Sequence, residues 1–226
     1  MMNNITPVVK NLLIINIIVF FGANMLLGHE MEGNGFAPDG FINQFLAVHY
    51  PESEYFQAIQ LLTYMFMHGS VMHIFFNMIG LYMFGPPIEY VWGAKRFLIY
   101  YLISGFGALI LDFAVKYFQI YHTDMLPEDI SVLVDTPMVG ASGAIFGLLA
   151  AYGYLFPNNI IMPLFPPIPM KAKYFVMVFG AIEIYSGISN MTHSTSNVAH
   201  FAHVGGALFG FLLIFYWHKG GQIGLK

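Results

Sequence analysis

The sequence of 226 residues contains no cysteine and very little charge. The lack of cysteine excludes a secreted fold held together by disulfides. Charged residues make up only 9% of the chain, whereas an average soluble domain has about 25%. With eight lysines and arginines, a net charge of −4 and no basic stripe, a nucleic-acid-binding surface is excluded as well. So few charges cannot cover a soluble protein, and lipid is the expected solvent for most of the chain.

Hydrophobic residues take the place of the missing charge. They account for 58% of the chain, and the mean hydropathy is +0.66. Apolar runs of about 20 residues predict membrane-spanning helices, because that length crosses a hydrocarbon core of about 30 Å. Six spans are predicted, over residues 8–27, 70–90, 96–118, 140–156, 174–188 and 199–217. We therefore expect an all-α membrane protein, without a cleaved signal peptide or an attached soluble domain.

The basic residues predict how the spans are oriented. Seven of the eight fall on one side of the predicted membrane, and only Lys116 falls near the other. Because cytoplasmic loops carry an excess of lysine and arginine, both termini are expected in the cytoplasm. Six spans is the even number that this arrangement requires.

The connection between the first two predicted spans, residues 28–69, is long and apolar. Long loops without secondary structure are uncommon in compact domains and tend to be functional. We predict a partly helical element that lies sideways in the outer leaflet. Its last part is predicted as a helix over residues 55–67, which ends before the turn at Gly69.

The second predicted span contains two polar residues, His73 and Asn77. Polar side chains within a membrane are costly, so they indicate function. The spacing of four residues places both on one helix face. They are either an interhelical hydrogen-bond pair that holds the bundle together or the donor pair of an active site.

Ser142 lies in the first turn of the fourth predicted span. The free backbone N–H groups and the positive end of the helix dipole would stabilise an oxyanion there. The alternative is an N-cap serine among packing glycines. The serine is not part of an α/β-hydrolase elbow, because Ala144 stands where that motif needs a second glycine.

The fourth and sixth predicted spans carry matching small-residue faces, which allow two helices to approach closely. These faces are Gly143 with Gly147, and Gly206 with Gly210. If the faces pack together, His203 is carried beside Ser142. His200, one turn earlier, is expected to be a polar residue at the membrane interface.

Three of these residues are also expected at a similar depth in the membrane. Ser142, His73 and His203 each lie within roughly 10 Å of the outer end of their helix, at 1.5 Å per residue. A serine, a histidine and a pair of donors at one depth can act as nucleophile, base and oxyanion hole.

Taken together, these motifs resemble the rhomboid family of intramembrane serine proteases. The resemblance rests on His68 just before the second span with His73 and Asn77 in it, Gly-Ala-Ser142-Gly in the fourth span and Ala-His203-x-x-Gly206 in the sixth. It implies a rhomboid-like bundle of six transmembrane helices that forms a single protease domain, residues 1–226. It also implies a serine endopeptidase without cofactor or metal, whose substrates are transmembrane segments of proteins in the lipid bilayer.

The resemblance also assigns roles to individual residues. Ser142 would be the nucleophile and His203 the general base, in a dyad without a carboxylate. Neither Asp112 nor Glu183, the acids within the spans, is expected to orient His203. His73 and Asn77, with the backbone N–H of Ser142, would form the oxyanion hole. Three further residues are expected to support the site: His68, Gly140 and Phe146.

The family further implies how the site is reached. The site would open to the outer side of a bacterial inner membrane. The polar loop over residues 189–197 would cap it, and the fifth span would act as a lateral gate.

Two departures from the family pattern stand out. Ile59-Gln60 replaces a common Trp-Arg pair in the first loop, so the loop is expected to be anchored differently. Phe146 replaces a tyrosine that packs on the catalytic histidine, so a hydroxyl contact is lost although the ring can still stack.

Other functions fit parts of the pattern. A proton-coupled transporter would also carry histidines and acids within its spans, but it would show internal repeats, and none is found. A metalloenzyme could use the histidines, but no HExxH motif is present. A catalytically inactive rhomboid-like binder usually lacks the serine or the histidine. Nothing in the sequence predicts an oligomeric state.

Overall fold

The structure is a computed structural model, and it describes residues 5–26, 41–163, 167–189 and 197–221. The described part is mostly helical, as predicted. In chain order the helices are α1 (Pro7–Leu26), α2 (Phe41–Leu46), α3 (Gln60–Thr63) with a 3₁₀ turn (Tyr64–Phe66), α4 (Val71–Trp92), α5 (Ala94–His122), α6 (Pro127–Asp135), α7 (Ser142–Leu155), α8 (Ala172–Ser189) and α9 (Asn197–Lys219). Two short strands, β1 (Ile160–Ile161) and β2 (Met170–Lys171), pair antiparallel between α7 and α8.

Several helices have the length and apolar character of membrane spans. Among the described residues, three qualify by both measures: Val71–Trp92, Ala94–His122 and His200–Lys219. Two shorter apolar helices accompany them, Pro7–Gly22 and Ser142–Leu155. Large hydrophobic side chains such as Ile18 and Phe215 are exposed on the outside of the bundle. A surface of this kind needs lipid around it, and the protein is an integral membrane protein.

Each predicted span overlaps one of the long helices, with ends that differ by up to four residues. The short helix α6 was not predicted from the sequence. Pro127 stands in its first turn, together with two acidic residues, Glu128 and Asp129. This is a typical helix start, because proline fixes a helical φ and the acids face the positive end of the dipole.

Helices α5, α7 and α9 pack against one another and form the centre of the bundle. Small residues allow the close packing. A Cβ atom on Gly107 of α5 would overlap the ring of Phe209 on α9, and one on Gly143 of α7 would overlap Ala108 of α5. Because lipid offers no hydrophobic driving force between helices, such close contact is a main source of their association.

The first loop is described from residue 41 onward. The helix predicted over residues 55–67 is shorter than expected, since only α3 and the 3₁₀ turn are helical there. The fully buried Gln60 holds the loop instead. Its side-chain amide donates to the carbonyl oxygens of Gln44 and Tyr55, at 2.6 and 2.8 Å, and its Oε1 accepts from the N–H of His49 at 3.2 Å.

The loop is also tied to the chain segment that leads into α7. The backbones of Val48 and Met138 exchange two hydrogen bonds of 3.0 and 2.8 Å. The N–H of Gly140 donates to the carbonyl oxygen of Tyr64 at 2.9 Å. The residues directly before Ser142 are therefore held by the first loop.

Candidate active site

Ser142 is the first residue of α7, two residues later than the predicted start of that helix. The chain reaches it through Gly140, whose φ of +122° is a conformation that glycine adopts most readily. The serine thus stands where the first N–H groups of a helix have no partner within the helix. Such a position favours a negative charge beside the serine hydroxyl.

The two small-residue faces meet in part, around Gly206 and Gly143, whereas a Cβ atom on Gly210 would meet Tyr100 and Ser104 of α5. A Cβ atom on Gly206 of α9 would overlap the carbonyl group of Gly143 and would lie 3.1 Å from its Cα. Gly147 lies one turn further along α7, and a Cβ there would lie 3.2 Å from the carbonyl oxygen of Gly206. Helices α7 and α9 therefore touch backbone to backbone next to Ser142.

This packing brings Ser142 and His203 together. The serine Oγ and the histidine Nε2 are 2.8 Å apart, which is a hydrogen-bonding distance. A neutral imidazole with its lone pair on Nε2 can accept the serine proton. The pair therefore has the geometry of a nucleophile and its general base.

Phe146 lies one turn after Ser142 on α7, and its ring covers the imidazole of His203. The two ring centroids are 4.3 Å apart and the planes differ by 8°, so the rings are stacked. The phenyl ring thus makes the ring contact that was expected of it. It restricts the orientations that the imidazole can adopt.

The expectation that neither Asp112 nor Glu183 is placed to orient His203 is wrong for Glu183. Glu183 of α8 points its Oε2 at the imidazole, 3.0 Å from Nδ1 of His203. The same oxygen lies 2.7 Å from Nδ1 of His200, so this histidine is a partner of Glu183 and not simply a polar residue at the interface. Asp112 does not contact His203 but pairs with Lys116 on its own helix, at 4.0 Å.

His73 is set in place by the start of α4. The hydroxyl of Ser70, the N-cap residue, accepts from the N–H of His73 at 3.1 Å. The backbone N–H of Gly69 donates to Nδ1 of the His73 ring at 3.4 Å. Since Nδ1 is an acceptor here, the neutral ring carries its hydrogen on Nε2, where it can donate.

Gly140 leaves room for that ring. A Cβ atom on Gly140 would lie 2.7 Å from Nε2 of His73 and 3.7 Å from Oγ of Ser142. The donor atom of His73 and the serine hydroxyl therefore border the same small space. A negatively charged oxygen in that space would be within reach of both.

Asn77 and His68 both contact His73. The side-chain amide of Asn77 donates to the carbonyl oxygen of His73 at 3.0 Å, and the residue lines the cavity beside Ser142. His68 is 4% exposed and meets His73 edge to face, with ring centroids 5.0 Å apart. Burial lowers the pKa of His68 to about 4, and the neighbouring His73 lowers it in the same direction. His68 is therefore a neutral buried residue behind His73.

A cavity of about 650 Å³ opens beside these residues, between α4, α7 and α8. Ser142, His203, His73, Asn77 and Glu183 contribute its polar lining. The rest of its wall is apolar and extends to Ile161 and Pro163 beyond the far end of α7. The loop expected to cap the site, residues 189–197, lies outside the described residues except at its two ends.

The same cluster offers possible metal ligands. Glu183, His200 and His203 each present one ligand atom, and these atoms lie within 4.8 Å of one another. Three protein ligands would suffice for a catalytic zinc ion. In the structure, however, the Nδ1 atoms of both histidines are hydrogen-bonded to the carboxylate, and Nε2 of His203 contacts Ser142. The absence of a metal requirement remains a prediction.

Comparison with known proteins identifies the family. The family model of the Rhomboid domain matches residues 55–220. The chain is 31% identical to Rhomboid protease AarA of Providencia stuartii over 154 residues. This matched region covers 66% of this chain and 52% of the relative. It is 30% identical over 154 residues to Rhomboid protease GluP of Bacillus subtilis, covering 67% of this chain and 24% of the relative.

A plant protein shows the same likeness. RHOMBOID-like protein 2 of Arabidopsis thaliana is 34% identical over 159 residues, covering 70% of this chain and 42% of the relative. The chain thus spans about half or less of the length of these relatives. The family model nevertheless covers well over half of the chain, from the first loop to the end of α9, and the chain belongs to the rhomboid family.

Proposed function

We propose that this protein is an intramembrane serine endopeptidase that hydrolyses peptide bonds in or near transmembrane segments of membrane proteins. The observation that carries the proposal is the 2.8 Å contact between Ser142 Oγ and His203 Nε2. Family membership supports the same reaction, since relatives such as AarA and GluP are named rhomboid proteases.

The proposed reaction begins with attack of Ser142 Oγ on the carbonyl carbon of the substrate, while Nε2 of His203 takes the hydroxyl proton. The C–N bond then breaks, and His203 gives this proton to the leaving amine. Water attacks the resulting acyl ester, and His203 takes one of its protons. When the ester bond breaks, the proton returns to the serine oxygen and the acid product leaves.

The oxygen that becomes negative during attack needs donors. The proposal assigns this role to the backbone N–H of Ser142, the Nε2–H of His73 and the side-chain amide of Asn77. The contact from Gly69 to His73 Nδ1 supports the assignment, because it leaves the ring hydrogen on Nε2. Removing one such donor typically costs about 10²–10³ in rate.

A substrate helix hides its amide groups in its own hydrogen bonds, so it must unwind locally before attack. Substrates are therefore expected to carry small or helix-breaking residues near the outer end of a transmembrane segment. The apolar cavity between α4 and α8 would receive the unwound segment, with α8 as the lateral gate by analogy with the family.

The proposal includes a membrane topology. Six spans form one domain over residues 1–226, with both termini in the cytoplasm and the site opening to the outer side of a bacterial inner membrane. The distribution of lysine and arginine supports this orientation.

The test is cleavage of a transmembrane substrate by the purified protein in lipid vesicles. Ser142→Ala and His203→Ala should abolish cleavage and leave folded protein, whereas Ser131→Ala, an exposed serine of α6, should cleave at the normal rate. Binding of the substrate without cleavage by the unaltered protein would favour an inactive binder. Loss of cleavage in a chelator, with recovery on adding Zn²⁺, would favour a metalloenzyme.

A further inference from the structure

Glu183 is a carboxylic acid within a hydrophobic helix, and the dyad mechanism does not use it. Its side chain is 14% exposed and lies in α8, whose neighbours Ile182 and Ile184 are exposed on the outside of the bundle. A carboxylate there is costly unless hydrogen bonds compensate for the lost water. Both compensating contacts come from histidines of α9, at 2.7 Å from His200 and 3.0 Å from His203.

The contact with His203 determines where the hydrogen of that imidazole lies. An ionised carboxylate only accepts hydrogen bonds, so Nδ1 of His203 must carry the hydrogen that it donates to Oε2. Nε2 then has a free lone pair, and this is the atom 2.8 Å from Ser142 Oγ. The carboxylate thereby selects the tautomer that can act as a base toward the serine.

From this geometry we infer that Glu183 is a positioning residue that completes a Ser142–His203–Glu183 triad. The inference rests on the proposed function. Glu183 holds the imidazole in the right tautomer and orientation, and it stabilises the positive charge that the ring gains when it takes the serine proton. It does not itself accept that proton.

The local packing explains why the two helices hold this contact. Gly187 lies one turn after Glu183 on the same face of α8. A Cβ atom there would lie 3.0 Å from the ring of Phe201, which sits between the two histidines in the sequence of α9. The glycine therefore lets α9 approach α8 at the level of the carboxylate. Because acid and histidine belong to different helices, the triad exists only while α8 and α9 stay packed.

The second histidine gives the carboxylate a fixed position. His200 donates from Nδ1 to the same oxygen that His203 contacts. With two donors on Oε2, the Glu183 side chain is held on the α9 side of the cavity. Stacking of Phe146 on a face of the His203 ring completes the support of the imidazole.

The experiment compares Glu183→Gln with the unaltered protein in two assays: the rate of labelling by a fluorophosphonate, and the kcat and KM of substrate cleavage. Glutamine keeps the shape but removes the charge. The labelling rate and kcat should fall about 10²- to 10⁴-fold, while KM and the midpoint of thermal unfolding stay close to those of the unaltered protein. Glu128→Gln, the same change at an exposed position of α6, serves as the matched control and should have no effect.

Two outcomes would overturn the inference. The first is a labelling rate of Glu183→Gln within about threefold of the unaltered protein. The second is a loss of rate that comes with an equal rise in KM or with a clear loss of thermal stability. If Glu183→Gln does not fold, Glu183→Ala with and without formate replaces it. Recovery of labelling with formate supports the triad, and no recovery contradicts it. Labelling of the unaltered protein that Ser142→Ala abolishes tests the proposed function separately.

Discussion

Gly206 of α9 and Gly143 of α7 meet so closely that a Cβ atom on Gly206 would lie 3.1 Å from the Cα of its partner and would overlap its carbonyl group. Ser142 precedes one of these glycines, and His203 lies on the turn before the other. The 2.8 Å contact between two side chains 61 residues apart in sequence therefore depends on an approach that only glycine permits.

Gly206→Ala tests this dependence. The new methyl group has no room, so α7 and α9 must separate, and the serine moves away from the imidazole. A misplacement of about 1 Å can cost about 10²-fold in rate, and we expect a loss of that order in fluorophosphonate labelling. Gly180→Ala is the control, because nothing lies within 4 Å of a Cβ at that helical glycine. Labelling of the Gly206→Ala protein at the normal rate would contradict the packing argument.

Gly140→Ala tests the position of His73. Both Gly140 and Gly93 have a positive φ, of +122° and +77°, so alanine strains the backbone by about 1–3 kcal/mol at either place. Only at Gly140 would the methyl group also displace the His73 ring, since open space surrounds Gly93. We expect kcat to fall about 10²–10³-fold for Gly140→Ala, as for a lost oxyanion donor, and to be kept in Gly93→Ala. Equal effects of the two substitutions on kcat would show that strain alone is responsible.

Gln60→Leu tests the anchor of the first loop. The change leaves the N–H of His49 and the carbonyl oxygens of Gln44 and Tyr55 without this partner, and each buried group left unsatisfied costs about 1–3 kcal/mol. Limited proteolysis should cut the loop over residues 44–60 faster than in the unaltered protein, and the midpoint of thermal unfolding should fall. The exposed Gln57→Leu is the matched control. Unchanged cutting and stability would remove Gln60 as the anchor.

The buried His68 predicts a dependence of stability on pH. Its pKa is lowered from 6.5 to about 4 by burial, and next by the nearby His73. Between these two values the unfolded chain binds a proton that the folded protein does not bind. The free energy of unfolding should therefore decrease as the pH falls from about 6.5 to about 4, by about 3 kcal/mol from this group, and stay level below.

Thermal unfolding in detergent across this pH range measures the effect. Replacing the titrating ring by a phenyl ring in His68→Phe keeps the shape, so the variant should lose less stability on acidification than the unaltered protein. Burial also lowers the pKa of His49, whose contribution is common to both proteins. Parallel pH profiles for the two proteins would refute the role of His68.

The sequence predicts the six long helices and the Ser142–His203 pair, because each follows from a pattern within a short stretch of the chain. Apolar runs mark the helices, and glycines four residues apart mark the faces that let α7 and α9 touch. Once those faces are known, the side chains next to them follow from the helix period.

The position of Glu183 could not be predicted in this way. Apart from Lys173, Glu183, Ser186 and Ser189, helix α8 consists of apolar, aromatic and glycine residues on every side, so the hydrophobic pattern does not indicate which face turns toward α9. Gly187, four residues later, is the one signal that would have pointed to that face, because it permits the close approach of Phe201. The role of Gln60 could not be predicted either. Its three hydrogen-bond partners are backbone groups, and every residue has such groups, so the sequence does not identify them.

The most direct test of the account is the site at which the protein reacts with a fluorophosphonate. The protein in lipid vesicles is labelled, digested and analysed by mass spectrometry, beside His203→Ala. We predict one modified residue, Ser142, and labelling that is lost without the imidazole. Modification at another serine, or undiminished labelling of Ser142 in His203→Ala, would contradict the central claim that these two side chains work as nucleophile and base.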